Sequence, residues 1–167
     1  MKTVPTTILD ACCGGRMFYF EKNHPNVLYI DRRFETVEMK DRDKIRTLEI
    51  SPDLVMDFTD MKFPDECFNF VVFDPPHLIN CGKNSWLAKK YGKLDKDTWR
   101  ETLSKGLSEC LRVVKPGCVV AMKRKKGGVT LANQKQWIKT LNEAGIQTVV
   151  CKGCDAAIEF IESITKP

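Results

Sequence analysis

The sequence predicts an α/β domain with a doubly wound, mainly parallel sheet. Short apolar runs alternate along the chain with longer amphipathic segments, which is typical of parallel strands joined by helical crossovers. Several apolar runs stop at an acidic residue, as at Asp10, Asp31 and Asp74. The chain has 167 residues, 43% of them hydrophobic and 29% charged, and this size and composition favour one soluble domain with a single core.

Each element follows from its local pattern. The strongest strand pattern is Phe68–Phe73, which stops at Asp74-Pro75-Pro76. The longest predicted helix is Asp97–Val114, because apolar residues recur on one face at helical spacing until Pro116-Gly117 ends it. The other predicted strands are Thr7–Ala11, Val27–Ile30, Leu54–Phe58, Val119–Met122 and Thr148–Cys151, and the other predicted helices are Arg16–Lys22, Leu131–Ala144 and Asp155–Thr165.

Composition narrows the classes of function. No apolar run approaches the ~20 residues that span a bilayer, and Met1 to Thr7 lacks the pattern of a signal peptide. We therefore expect a cytoplasmic protein without a membrane partner, whose eight cysteines are reduced thiols. Cys151-x-x-Cys154 has no second Cys or His pair nearby, so no metal site is predicted.

Basic residues concentrate in the second half of the chain. The net charge is +5, and positions 78 to 128 hold thirteen Lys or Arg against four Asp or Glu. Such an excess attracts polyanions, although a solvated lysine-rich surface has the same composition. In this stretch Trp86, Lys89, Lys90 and Tyr91 combine aromatic and basic side chains, which suits base stacking and phosphate contact. A surface helix with one packed Trp is the alternative.

The predicted strand ends supply a candidate nucleoside site, because ligands of parallel sheets bind outside the carboxyl ends of the strands. The turn Asp10-Ala11-Cys12-Cys13-Gly14-Gly15 allows close backbone approach but lacks the dinucleotide fingerprint. Asp31 can accept both hydroxyls of a ribose. Asp57-Phe58 can bind an adenine amino group and pack on its ring. A plain turn, capping carboxylates and a buried phenylalanine are the structural alternatives.

A second motif, Asp74-Pro75-Pro76-His77, follows the strongest strand. An amine conjugated to a ring is a poor nucleophile, because its lone pair is delocalised. The carboxylate of Asp74 and the carbonyl of Pro75 can each accept one of its hydrogens and aim the lone pair at an electrophile. Pro76 stiffens the turn, and His77 offers a flat ring for stacking. A Pro-Pro loop without chemistry is the alternative.

Together these motifs resemble the class I S-adenosylmethionine-dependent methyltransferases, which have a Rossmann-like fold. More narrowly, they resemble amino-methyltransferases with an [Asp/Asn/Ser]-Pro-Pro-[aromatic] motif, and residues 7–117 are similar to small phage and prophage members with Asp-Pro-Pro-His. The resemblance implies S-adenosylmethionine as cofactor and the target amine at Asp74 to His77. It implies these cofactor-binding residues: Asp10, Cys12, Gly14, Asp31, Asp57 and Phe58. The sequence departs from the family at Cys12-Cys13, where Gly-x-Gly is common, and at His77, where Tyr, Phe or Trp is usual.

The C-terminal part has a different resemblance. Residues 118–167 resemble the end of a VRR-NUC-type nuclease domain, with Ala121-Met122-Lys123 where that family carries Glu-x-Lys. Because this metal-binding carboxylate is missing, no cleavage is predicted. We expect one domain over residues 1–167, with a fusion junction near 117–120 and an atypical β-α-β-α completion of the sheet.

These observations predict an N-methyltransferase acting on adenine N6 or cytosine N4 in DNA. The same chemistry on RNA, protein or a small molecule is one alternative. A catalytically inactive recombinant protein that binds nucleic acid is another. The sequence does not indicate an oligomeric state.

Overall fold

A computed structural model describes residues 7–41, 43–82, 85–124, 139, 143 and 148–152. The strands are β1 (Ile8–Asp10), β2 (Val27–Asp31), β3 (Glu35–Asp41), β4 (Lys44–Ile50), β5 (Leu54–Val55), β6 (Phe68–Val72), β7 (Val114–Arg124) and β8 (Thr148–Lys152). The helices with described bounds are α1 (Trp86–Tyr91) and α2 (Trp99–Val113). The predicted α/β architecture is therefore confirmed at this level.

Six of the strands form one sheet in the order β5-β2-β1-β6-β7-β8. Every neighbouring pair in it is parallel, so the carboxyl ends of all six strands lie at one edge. The chain builds outward from β1 through β2 to β5, and then returns to the other side of β1 with β6. The order of strands thus reverses between β1 and β6, which in open parallel sheets is where a crevice forms.

Apolar residues on the two faces of β1 and β6 form two clusters. Leu9 and Val71 belong to the cluster that α2 covers with its buried Leu107 and Cys110. Ile8 belongs to the opposite cluster, together with residues 13, 18, 27, 29, 70 and 72. Because neighbouring side chains of a strand point to opposite faces, the central strands are buried on both sides.

The segment after β1 corrects one prediction. Arg16–Lys22 was expected to be a helix, but it forms a series of turns in which Arg16 has a φ of 53°. The Arg16 guanidinium holds these turns by donating to the carbonyls of Lys22 and Ser51, at 2.9 and 2.6 Å. It also lies 4.1 Å from the centre of the Tyr29 ring. Turns therefore cover this part of the second sheet face, where the sequence predicted a helix.

Two further corrections concern strand lengths. The third predicted strand, Leu54–Phe58, is paired only over Leu54–Val55. Pro116-Gly117 does not end α2, which stops at Val113; the pair lies inside β7, whose pairing with β6 shifts register there. The expected junction at 117–120 consequently falls within a strand.

The predicted helix Asp155–Thr165 lies outside the described residues, as does most of Leu131–Ala144, of which residues 139 and 143 are helical.

An antiparallel hairpin of β3 and β4 was not predicted. It forms a separate two-stranded sheet between β2 and β5, with Val37 opposite Leu48. Leu48 and Ile50 are buried, while most other positions of β4 are exposed. The alternation of polar and apolar residues from Thr36 to Lys40 was a readable strand signal. Within the described part of the chain, no helix has the length and apolarity that crossing a membrane requires.

Substitution of Gly106 tests how tightly α2 packs against the core. A β-carbon there would lie 2.3 Å from Cδ2 of Phe58, a core ring that is 5% exposed. Alanine favours a helix by about 1 kcal/mol over glycine, but overpacking a core costs about 1–3 kcal/mol. We expect Gly106→Ala to lower the free energy of unfolding by about 1–2 kcal/mol in urea titrations. Ser108→Ala, at an exposed position of α2, is the control, and an equal effect of both variants would contradict this packing.

Candidate functional site

A cleft opens at the carboxyl edge of the sheet, where the order of strands reverses between β1 and β6. Its walls are residues 11–15, 17 and 18 after β1, residues 31–33 after β2, residues 74 and 76 after β6, residues 90–92 of the α1 region, and the single residues Leu48 and Phe58. The space between them is about 690 Å³, part of it open to solvent. Of this, the volume comparable with that of an enclosed cavity is about 50 Å³.

The turn after β1 forms the floor of the cleft. The amide of Ala11 donates to the carbonyl of Val72 on one side, at 2.9 Å, and the amide of Cys13 donates to the carbonyl of Ile30 on the other, at 2.9 Å. Gly14 then adopts a φ of 50°. Side chains rarely adopt this conformation, so glycine suits the point where the chain bends out of the sheet. The turn is thus anchored to both neighbouring strand ends.

Asp31, at the end of β2, is held by several hydrogen bonds. Its Oδ2 accepts the Gly14 amide at 2.9 Å, and its Oδ1 accepts the Arg33 amide at 2.9 Å. The Arg33 guanidinium adds a contact from Nε to Oδ1 at 3.2 Å and a longer one from Nη2 to Oδ2 at 3.5 Å. Asp31 is only 5% exposed, so these bonds compensate for the loss of hydration.

Asp10 lies beneath the cleft and is buried. Its Oδ1 accepts the amide of Cys12 at 3.4 Å, while its Oδ2 makes no hydrogen bond of normal geometry to the described residues. The pKa of Asp10 is raised from 3.8 to about 7, chiefly by burial and also by the nearby carboxylate of Asp74, although the Cys12 amide and the Tyr19 hydroxyl oppose the shift. The strand end therefore holds a carboxyl group that exchanges its proton near neutral pH.

The loop after β6 forms the opposite wall. Asp74 and Pro76 line the cleft, whereas Pro75 and His77 do not. His77 is exposed, with its ring centre 5.4 Å from that of Tyr91 and a tilt of 50° between the rings. An imidazole and a phenol ring thus stand side by side, and the Tyr91 ring lines the cleft together with Asp74.

The short helix α1 covers one side of the cleft. Ser85 caps its start by accepting the amide of Ala88 at 3.5 Å, and Gly92 ends it with φ 76° and ψ 174°. Only glycine adopts that backbone region readily. A β-carbon at Gly92 would lie 2.9 Å from Cγ of Pro76, so the end of α1 packs closely on the Asp-Pro-Pro loop. Lys90 lies with its ammonium 5.1 Å from the Tyr91 ring centre.

The two residues of the third predicted strand end, Asp57 and Phe58, have different roles in the structure. Oδ1 of Asp57 accepts both the amide and the hydroxyl of Thr59 at 2.9 Å, which is the geometry of a turn cap. Asp57 does not line the cleft, whereas Phe58 does. The Phe58 ring also packs edge-to-face on Phe73, with ring centres 5.3 Å apart.

Eight of the predicted site residues meet in this one cleft: Cys12, Gly14, Asp31, Phe58, Asp74, Pro76, Lys90 and Tyr91. Asp10 lies below them. Five others do not line it: Asp57, Pro75, His77, Trp86 and Lys89. Trp86 is half-buried on α1, and Lys89 reaches the site through its backbone carbonyl.

Sequence reasoning missed several wall residues, among them Arg32, Arg33 and Leu48. The arginines directly follow Asp31, and a basic pair beside a strand-end carboxylate was a usable signal. Leu48 comes from the hairpin, and a β-carbon on Gly15 would lie 3.3 Å from its Cδ1. The hairpin therefore closes the cleft beside the turn after β1.

The cleft combines carboxylates with cations. Asp31 and Asp74 bring negative charge to its walls, and Arg32, Arg33 and Lys90 bring positive charge. Carboxylates in such a site can orient hydroxyls or amines, and the cations can attract an anionic group of a ligand. Among the described residues, no group of three or more His, Cys, Asp or Glu is arranged to hold a metal ion.

The raised pKa of Asp10 predicts a pH-dependent stability. The folded state holds the proton up to about pH 7, while the unfolded chain releases it near 3.8. The stabilisation of the folded state by this retained proton is complete below pH 3.8 and is lost as pH rises to about 7. The shift corresponds to about 4 kcal/mol at most. Relative to wild type, Asp10→Asn should therefore gain stability between pH 5 and pH 8 in urea titrations.

Glu38→Gln is the control for this prediction, because it replaces an exposed carboxylate on β3 by an amide. Its stability relative to wild type should change little over the same pH interval. A pH-independent difference between Asp10→Asn and wild type would show that the carboxyl of Asp10 does not titrate in this interval.

Comparisons with known proteins give no match. No protein-family model, no curated protein and no solved structure matches this chain. Its function is therefore inferred from the chemistry of the cleft and from the motifs that line it.

Proposed function

We propose that the protein is an S-adenosylmethionine-dependent methyltransferase that acts on an exocyclic amino group, with adenine N6 or cytosine N4 in DNA as the preferred target. One observation carries the proposal: the glycine turn, Asp31 and the Asp-Pro-Pro loop line a single cleft at the switch point of the sheet. Leaving the hairpin aside, the strand order is 3-2-1-4-5-6, the order of doubly wound Rossmann-like sheets.

The residues of the cleft fit this cofactor in two respects. The Gly14 turn offers backbone close to Asp31, whose carboxylate is already oriented by two amides and can accept ribose hydroxyls. The partly unsatisfied carboxyl of Asp10 lies below the same turn and would favour a positive charge nearby. Phe58 supplies an apolar wall for a ring.

When bound, S-adenosylmethionine supplies a methyl group on a positively charged sulfur; as the new N–C bond forms, the electrons of the broken S–C bond remain on a neutral thioether. In this proposal Asp74 accepts one hydrogen of the target amine and orients the lone pair of the nitrogen. The surplus proton of the methylated nitrogen leaves to Asp74 or to water. Positioning and charge stabilisation, rather than strong basicity, would supply the acceleration.

The cationic side chains of the cleft wall favour a polyanionic substrate. Arg32, Arg33 and Lys90 line the cleft beside Asp74, and Lys or Arg at such positions can contact phosphates. Tyr91 and His77 present neighbouring rings on which a base could stack. A base in duplex DNA would have to be flipped out of its stack to reach this depth. We place the protein in the cytoplasm as part of the same proposal.

The same cations also suit an inactive protein that only binds nucleic acid. The two functions differ in cofactor binding, because only the enzyme requires a nucleoside at Asp31. We therefore expect Asp31→Ala to weaken binding of S-adenosylhomocysteine by about 10- to 100-fold in calorimetric titrations, the loss expected for hydrogen bonds to a charged group.

Glu35→Gln is the matched control, because Glu35 lies 3.8 Å from the same Arg33 but does not line the cleft. It should bind within about twofold of wild type. Asp31→Asn, which keeps an oxygen for the Gly14 amide, separates lost binding from lost folding. Absence of binding by the folded wild-type protein would remove the enzyme proposal and leave the nucleic-acid-binding one.

Substitution of Asp74 tests the proposed methyl-transfer step. Asp74→Ala should bind S-adenosylhomocysteine nearly as wild type does, while methyl transfer falls by about 100-fold or more, because orientation of the amine is lost. Transfer is measured with methyl-labelled cofactor on separate pools of single-stranded DNA, duplex DNA, RNA and protein. Asp97→Asn, at an exposed position before α2, is the control. Unchanged transfer by Asp74→Ala would show that another group orients the amine.

A further inference from the structure

Arg33 connects the two halves of the cleft through one side chain. Its Nε and Nη2 contact the carboxylate of Asp31 at 3.2 and 3.5 Å, and its Nη1 donates to the carbonyl of Lys89 at 2.8 Å. Lys89 lies in α1, so the guanidinium joins the end of β2 to the helix that covers the cleft. The Arg33 side chain is only 20% exposed, and this burial limits the screening of its contacts by water.

The contacts on Asp31 leave little room for a second ligand. Each carboxylate oxygen has about two acceptor directions. Backbone amides of Gly14 and Arg33 take one on each oxygen, and the Arg33 guanidinium contacts the same two oxygens. The amides are fixed by the fold, whereas the guanidinium can move by side-chain rotation. A vicinal diol that binds Asp31 must therefore replace the guanidinium.

The contact on α1 has a structural consequence as well. A cationic donor on a carbonyl in the last turn of a helix is favourable, because that end carries unsatisfied carbonyls and partial negative charge. With six residues, α1 is too short to be stable through its own backbone bonds alone. Its position depends on tertiary contacts, of which the Arg33 bond and the packing of Gly92 on Pro76 are two.

We propose that Arg33 is a positioning residue that links two exclusive states of the cleft. In one state Arg33 holds Asp31 and fixes α1 over the cleft. In the other a ribose occupies Asp31, and Arg33 no longer fixes α1. This inference rests on the proposed function, since it takes the diol to be that of S-adenosylmethionine. Without a nucleoside, Arg33 holds α1 against the cleft. When the diol takes Asp31, the guanidinium leaves Asp31 and the Lys89 carbonyl, while Glu35, 3.8 Å from its Nη1, remains beside it. The helix α1, with Lys90 and Tyr91, then becomes free to rearrange for the second substrate. Cofactor would accordingly bind before the target amine.

Trypsin cleavage after Lys89 or Lys90 measures whether α1 is held. In the ligand-free protein we expect Arg33→Ala to be cleaved there about tenfold faster than wild type, the effect of losing one charge-assisted hydrogen bond. Arg32→Ala is the matched control: it removes an equal charge from the neighbouring residue, whose only described bond reaches the carbonyl of Lys93 at 3.5 Å. Equal cleavage rates for Arg33→Ala and wild type would overturn the proposal.

Saturating S-adenosylhomocysteine should raise cleavage of wild type toward the rate of ligand-free Arg33→Ala and leave Arg33→Ala nearly unchanged. Arg33→Ala should also bind S-adenosylhomocysteine about three- to tenfold more tightly than wild type, because the diol no longer competes with the guanidinium. Weaker binding by a folded Arg33→Ala, with Arg33→Lys restoring it, would identify Arg33 as a direct ligand contact and overturn the competition.

The two proposals fail in different ways. If wild type binds no S-adenosylhomocysteine, the proposed function and the ligand-dependent part of this inference both fail, while the ligand-free cleavage rates still decide whether Arg33 holds α1. If wild type binds S-adenosylhomocysteine but its cleavage after Lys89 and Lys90 does not change, the proposed function stands and the exchange of partners by Arg33 is wrong.

Discussion

The parallel pairing of β1 with both β2 and β6 is the constraint on which the rest of the site depends. Because the three strands run in the same direction, Asp10, Asp31 and Asp74 are brought to one edge. The amide of Ala11 bonds to β6 and the amide of Cys13 bonds to β2. The turn between them cannot leave the edge without breaking backbone hydrogen bonds, and so the floor of the cleft is fixed.

Bringing several carboxyl groups to one edge has an electrostatic cost, and the structure offsets it in different ways. Asp31 is bonded to two amides and a guanidinium. Asp10 has fewer partners, and its burial favours the protonated form, which lessens repulsion with its neighbours. The cations of the cleft wall partly balance Asp31 and Asp74. A site arranged in this way can accept a ligand that carries both a positive centre and hydroxyl groups, which is the composition of the proposed cofactor.

The sequence was most informative where strand ends carry distinctive residues. Buried runs in a parallel sheet are continuously apolar, and the acidic or proline residues that stop them mark the carboxyl edge. For this reason the positions of Asp31 and the Asp74 loop at this edge were predicted without a structure. The face of α2 that packs on the sheet was also predicted, because helical spacing of apolar residues is a strong signal.

Features that depend on contacts distant in sequence were not predictable in the same way. The turns after β1 are held by Arg16 reaching the carbonyl of Ser51, a long-range bond without a local pattern. The bridging role of Arg33 likewise requires α1, which lies more than fifty positions away in the chain. Asp57 was assigned to the adenine by analogy, yet its bonds to Thr59 show a local cap. The hairpin was different, since its alternating pattern was readable and was missed.

Photochemical labelling can show whether S-adenosylmethionine binds in this cleft, because it reports where the cofactor lies rather than only whether it binds. Wild-type protein is irradiated with radiolabelled S-adenosylmethionine, with and without excess S-adenosylhomocysteine, and the labelled peptides are sequenced. We expect competitor-sensitive label within residues 11–18, 31–33, 58 or 74–92. Label that the competitor does not reduce, or that lies only in other segments, would contradict the assignment of this cleft as the cofactor site.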